Sequence, residues 1–189
     1  MTSVKLCALT GVAARLIHGS TLHSILKLPV QKDGKVLNLP LLSGDLLCQM
    51  RMHWKDVQFV IIVEISMVPY EMLCMIDQCL KQLNNSEDLF GGLNMLLFGD
   101  LLQLPPVRGS SIFHQPVRMQ PATHLWREFS FCELLKNMCQ QGDTAFIDLL
   151  NALRVGKVRR YHINLLMDKL EGNNIDDFSI EKATYPSNN

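Results

Sequence analysis

Residues 59–68 read F-V-I-I-V-E-I-S-M-V, and the run Phe59-Val60-Ile61-Ile62-Val63 that ends on Glu64 decides the fold class. A continuous apolar run of this length, rich in β-branched residues and lacking alternation, predicts a strand of a parallel sheet covered on both faces. Two more runs follow the same pattern. Val4 to Leu9 is apolar apart from Lys5 and gives way to Thr10-Gly11, and Met95-Leu96-Leu97-Phe98 ends at Gly99-Asp100. Between the second and third runs, Met72, Leu73, Ile76, Leu80 and Leu83 fall on one helical stripe over Pro69 to Leu83. Pro69 suits the first turn and Asn84-Asn85 is a stop. Strand, helix, strand in this order is a right-handed crossover, and the expected fold is α/β.

Further from this centre the pattern weakens. Leu28 to Met52, with Lys32-Asp33-Gly34-Lys35 as a turn, has no clear period and is assigned to an irregular insertion. Pro105-Pro106 opens a loop-rich passage to about Thr123, followed by an aromatic patch at Trp126, Phe129 and Phe131. An amphipathic helix is predicted over Thr144 to Leu153, stopped by Gly156, with a second short helix around His162 to Leu170. Glu171 to Asn189 is a polar, loosely packed tail.

With 189 residues, 48% of them hydrophobic, the chain can bury a sizeable core. Eighteen basic and eighteen acidic residues cancel, which excludes a generally basic polyanion binder and makes any nucleic-acid contact local. Cys7, Cys48, Cys74, Cys79, Cys132 and Cys139 show no metal-ligand spacing and are expected to be buried thiols in a reducing compartment. There is no leader-like amino terminus and no run long enough for a membrane span, so an intracellular chain is expected.

In open parallel sheets ligands gather at the carboxyl ends of strands. Glu64 and Asp100 each follow a predicted buried strand directly. Acids also follow strands simply because the chain returns to water there. Their surroundings are richer than that. In V-I-I-V-E-I-S-M-V, residues 60–68, a carboxylate at the sheet edge can orient and deprotonate a water aimed at a phosphate. In G-D-L-L-Q-L-P-P-V, residues 99–107, Gln103 lies in a loop stiffened by Pro105 and Pro106, where an amide can sense a terminal phosphate.

These two strings, in this order, resemble motifs II and III of the Pif-type ATP-dependent DNA helicases, a superfamily-one, RecD-like group, including the helicase region of helitron transposons. L-T-G-V-A-A at residues 9–14 resembles motif Ia, and G-S-T-L-H-S at residues 19–24 the segment after it. L-L-K-N-M-C-Q at residues 134–140 looks like motif IV, and F-I-D-L-L-N-A-L-R-V-G at residues 146–156 like the helix that follows. The resemblance runs over roughly residues 4–156. It implies a RecA-like parallel sheet flanked by helices, the P-loop NTPase fold without its phosphate-loop strand. Residues 1–128 would be part of a first motor domain and residues 129–189 the start of a second. It also implies ATP and Mg2+ as cofactors, five-prime-to-three-prime unwinding in DNA repair, recombination or telomere maintenance, and a nuclear or, alternatively, mitochondrial location.

Carried over residue by residue, the resemblance makes Glu64 and Gln103 catalytic with Asp100 in support. It places single-stranded DNA against Thr10, Gly11, Ser20, Thr21 and His23. By their chemistry alone these five can hydrogen-bond phosphates or admit a close backbone, and they equally suit a turn and a helix cap in which Ser20 or Thr21 bonds an N–H.

Three departures bear on activity. No G-x-x-x-x-G-K-[ST] occurs, so the chain is expected to begin after the phosphate loop. Val63 stands where the family carries a metal-holding aspartate, and Cys139 where it carries an arginine that reaches the terminal phosphate. These losses weigh against ATP and Mg2+ binding and predict a chain that is inactive by itself. The alternative is a non-catalytic DNA- or protein-binding remnant of a transposon helicase. Loss of the phosphate-loop strand also predicts an open apolar sheet edge.

Overall fold

The apolar run around Ile61 forms β3, Val57–Val63, in a computed structural model of the chain that describes residues 3–30, 41–119, 122–134 and 144–172, with side chains to residue 168. β3 pairs in parallel with β1, Ser3–Ala8, on one side and with β4, Asn94–Leu97, on the other. The two-residue β2, Ser20–Thr21, extends the sheet beyond β1, giving the order β2-β1-β3-β4. The fold is α/β, as the strand runs predict, and each predicted strand lies within two residues of its observed bounds.

Helix α1, Gly11–Leu16, and helix α2, Leu22–Leu26, follow β1 and β2. Helix α3 spans Gly44–Trp54, and α4, Tyr70–Asn84, makes the crossover from β3 to β4. Pro69 caps α4 from outside the helix, and Asn85 ends it in the left-handed region at φ 51°. The predicted stripe of α4 is buried as expected, and so are Tyr70, Glu71, Met75, Asp77 and Cys79. The additional burial has more than one source: Ser110, Arg118 and Leu125 close over Tyr70 and Glu71, Phe90 N bonds Asp77, and Cys79 meets Leu26 O, while Ile112, Leu125, Trp126 and Phe129 join the core cluster. Of the expected aromatic patch, Trp126 and Phe129 pack at 6.0 Å between ring centroids, whereas Phe131 is exposed.

The expectation of a sheet covered on both faces is corrected. On one face Cys7, Val60 and Ile62 are fully buried beneath α2, α3 and α4, with Met95 and Leu97 packed against them. On the opposite face Leu6, Phe59, Ile61 and Val63 are only half-buried, and Val4 and Leu96 are exposed at 45% and 37%. The continuous apolar run reports a strand built for cover on both sides, and on this second face the described residues cover only the strand ends, where Ala13 and Ala14 of α1 bury Ala8 against Val63. β4 is an outer strand of the described sheet, and Phe98 just beyond it is 49% exposed, which matches the expected open edge.

The stretch assigned to an irregular insertion contains α3. Its period is blurred because Leu46 and Met52 point to solvent while Met50 and Trp54 are buried. Tertiary contact decides its position: the Arg51 guanidinium donates to the carbonyls of Leu83 at 3.1 Å and Gln82 at 2.8 Å, closing the carboxyl end of α4.

The chain divides into two compact units, Met1–Cys132 and Glu133–Asn189. In the second, α5, Thr144–Arg154, and α6, Arg160–Gly172, form a helical hairpin. Gly156, at φ 68°, donates to Leu153 O at 3.1 Å and Lys157 N donates to Ala152 O at 2.8 Å, the paired bonds of a Schellman stop. The Lys32–Lys35 turn, most of the motif IV string including Cys139, and the tail beyond Gly172 lie outside the described residues.

Burial of the cysteines is confirmed only in part. Cys7 and Cys79 are buried, Cys74 is intermediate, and Cys48 and Cys132 are exposed. Burial pushes the thiols of Cys7 and Cys79 up to about 11 and about 12. Both therefore stay protonated and unreactive at mildly alkaline pH. Iodoacetamide labelling of the native chain, read by peptide mass spectrometry, is expected to modify Cys48 and Cys132 first and to reach Cys7 and Cys79 only after denaturation.

Candidate functional site

The parallel register brings the strand ends to one edge. Ala8 lies opposite Val63 and Ile62 opposite Leu97, so the residues after each strand emerge side by side. The ladder continues one step further, with Phe98 N donating to Ile62 O at 2.8 Å and Ile65 N donating to Phe98 O at 3.1 Å. Gly99 is required by this approach: a Cβ there would lie 2.8 Å from Ile65 N. Glu64 and the Gly99-Asp100 corner therefore sit on neighbouring strand ends.

Glu64 is half-buried and adopts φ 55°, ψ 47°, a left-handed conformation uncommon for a residue with a side chain. It turns the chain off β3 into the short 3-10 turn Ile65–Met67. Asp100 organises its own corner. Its Oδ1 accepts from Leu102 N at 3.0 Å and its carbonyl accepts from Gln103 N at 3.0 Å, an Asx-type turn that leaves Gln103 exposed. Val63, half-buried, packs on the cluster of Ala8, Ala13 and Ala14.

At the other end of the edge, Thr10 and Thr21 are helix caps. Thr10 Oγ1 accepts from Ala13 N and Thr21 Oγ1 from Ser24 N, both at 3.3 Å. Gly11 and Ser20 are exposed, and the space around Gly11 is open. His23 is half-buried, and burial lowers its pKa, which favours a neutral ring that donates one N–H over a cation. The order β2-β1-β3-β4 places Ser20, Thr21 and His23 at one end, Thr10 and Gly11 next, then Glu64, then Asp100 and Gln103. With neighbouring strands ~4.8 Å apart, the row spans about 14 Å.

The donor set does not fit a divalent metal. Val63 offers no oxygen and is committed to an alanine cluster, Asp100 uses one oxygen on its own turn, and no group of three potential ligands exists among the described residues.

Comparison with known proteins identifies the lineage. The family model described as PIF1-like helicase matches residues 2–163. The chain belongs to this family. It is 33% identical over 159 residues to the ATP-dependent DNA helicase RRM3 of Saccharomyces cerevisiae, covering 82% of this chain and 21% of the yeast protein. It is 33% identical over 160 residues to the human ATP-dependent DNA helicase PIF1, covering 82% of this chain and 24% of the human protein. Its fold matches the Bacteroides Pif1 helicase crystallised with ADP-AlF3 and single-stranded DNA, with a TM-score of 0.70, 27% identity, and coverage of 98% of this chain and 42% of that one. The sheet is thus RecA-like, and the chain spans less than half the length of these PIF1-like relatives.

The groups that hold this family member's site loop in place were not identified from sequence. Glu71, buried in the first turn of α4, accepts from Ser110 N at 3.0 Å and from the Arg118 guanidinium at 2.7 Å. Gly109, at φ 89°, passes so close that a Cβ would lie 2.8 Å from Glu71 Oε2. Tyr70 donates its hydroxyl to Thr123 O at 3.5 Å and accepts from Leu125 N at 3.1 Å.

Two stability measurements follow. Glu71→Ala leaves Ser110 N–H without its acceptor and is expected to lower unfolding stability by about 2–3 kcal/mol in urea titration. Glu64→Gly relieves the left-handed strain of roughly 1–2 kcal/mol against glycine's extra chain entropy, and is expected to stabilise by about 0.5–1 kcal/mol.

Proposed function

We propose that this chain carries the strand-end half of an ATP-dependent, five-prime-to-three-prime DNA motor, descended from the helitron branch of the PIF1-like helicases, and that it does not hydrolyse ATP by itself. The observation that carries the proposal is the placement of Val63 beside Glu64. The side chain next to the candidate base is packed into Ala8, Ala13 and Ala14 and presents methyl groups to them.

In an intact motor, Glu64 would orient and deprotonate the attacking water, Gln103 would report on the terminal phosphate, and Asp100 would hold the Gln103 turn. The open ends of β1 and β2, with Thr10, Gly11, Ser20, Thr21 and His23, would track single-stranded DNA. The polar groups there are small and the Gly11 backbone is accessible, which suits sequence-independent contact with a phosphate chain. In the same scheme the second compact unit is the beginning of the second motor domain. The processes are those in which a DNA helicase works, repair, recombination or telomere maintenance, in the nucleus or the mitochondrion.

Two features support inactivity. The sequence has no phosphate loop to cradle a triphosphate, and Val63 stands beside Glu64 where a carboxylate would help hold a metal. The purified chain is expected to release no phosphate from ATP above background, with or without single-stranded DNA. Val63→Asp is expected not to restore release, because the loop remains absent. DNA-stimulated release by the unmodified chain would overturn the proposal.

A further inference from the structure

A seven-residue stretch that the strand-end site does not use, Arg154 to Arg160, carries Arg154, Lys157, Arg159 and Arg160 without an acidic residue, in a chain whose total charge is zero. The Schellman stop at Gly156 folds this stretch back on itself, so Arg154, Lys157 and Arg159 line one cavity of about 330 Å³ together with Asn151 and Tyr161.

The same turn fixes the cavity wall. Arg159 N donates to His162 Nδ1 at 3.0 Å, so the proton of the neutral ring resides on Nε2, which donates to Asp148 Oδ2 at 3.0 Å. The Tyr161 hydroxyl also donates to Asp148. Asp148 is the one acid of the cavity, and it is engaged on both sides. Those bonds, Tyr161's first, hold its carboxyl below the usual carboxylate range. Tyr161 is anchored at its hydroxyl and rests on His162 at 3.9 Å between ring centroids, yet stays 48% exposed.

We infer that this cavity on the α5–α6 hairpin is a second nucleic-acid contact that takes one nucleotide of a single strand, its phosphate on Lys157, Arg159 and Arg154 and its base on the ring of Tyr161. Cations beside a fixed, exposed aromatic ring are the two elements of sequence-independent single-strand binding. The cavity is separate from the Thr10–His23 edge and does not depend on its assignment.

The test uses the full chain and a fluorescein-labelled oligothymidylate, followed by anisotropy across a salt series. Lys157→Ala combined with Arg159→Ala is expected to weaken binding by about tenfold at low salt and to flatten the dependence of log affinity on log salt by roughly 0.7 per lost contact. Tyr161→Leu is expected to weaken binding by a similar factor, whereas Tyr161→Phe keeps the ring without its Asp148 anchor and is expected to retain most of the affinity that Tyr161→Leu loses. Irradiation of the unmodified chain with a 5-iodouracil oligonucleotide should crosslink Tyr161, a readout that requires no variant to fold. Unchanged affinity and salt dependence in the double variant, or crosslinks confined to residues 10–23, overturn the inference and leave the strand-end assignment standing. Equal affinity for free thymidine monophosphate overturns the single-strand reading of the cavity.

Discussion

The pairing of Cys7 with Ile62 and Ala8 with Val63, repeated one strand over by Ile62 with Leu97, is the constraint on which the remaining geometry depends. Parallel strands in this register finish at one level, so three separate chain segments deliver Thr10, Glu64 and Asp100 to a single edge. A shift of one residue in β3 would turn Val60 and Ile62 from the buried face to the half-open one and move Glu64 away from the Gly99 corner. The fully buried Cys7, Val60 and Ile62 hold the register, because their face has no room for the alternative.

The geometry of that edge is set largely by the backbone. Its backbone features are the left-handed turn at Glu64, the close passage of Gly99 and the Asx corner at Asp100. They are built from ladder hydrogen bonds and local turns, with Gly99 and the Asp100 carboxylate as the two side-chain requirements. Val63, beside Glu64, is half-buried. Its apolar packing on Ala8, Ala13 and Ala14 supports the strand end.

The half-open face carries a related message. Leu6, Phe59, Ile61 and Leu96 belong to strands whose composition suits cover on both sides; among the described residues the α2–α4 side has it throughout, and the other side only where α1 meets Ala8 and Val63. Meanwhile residues 105–129 wrap α4 and bury even its polar first turn, so the side of the sheet that is covered is covered deeply.

Local patterns were readable because they depend on neighbours along the chain. The three apolar runs, the α4 stripe between Pro69 and Asn85, the Gly156 stop and the capping threonines all follow from backbone stereochemistry and side-chain period over a few residues. Family motifs extended this to the identity of the strand-end acids. The sequence could not show that α3 exists, since its apolar residues fall on two faces and its position depends on Arg51 reaching the end of α4. Nor could it show that Glu71 would meet Arg118, 47 residues on, or that one sheet face would stay half-open. Those outcomes are set by which distant groups meet when the chain closes, and burial then fixes them by making an unpaired charge or N–H costly.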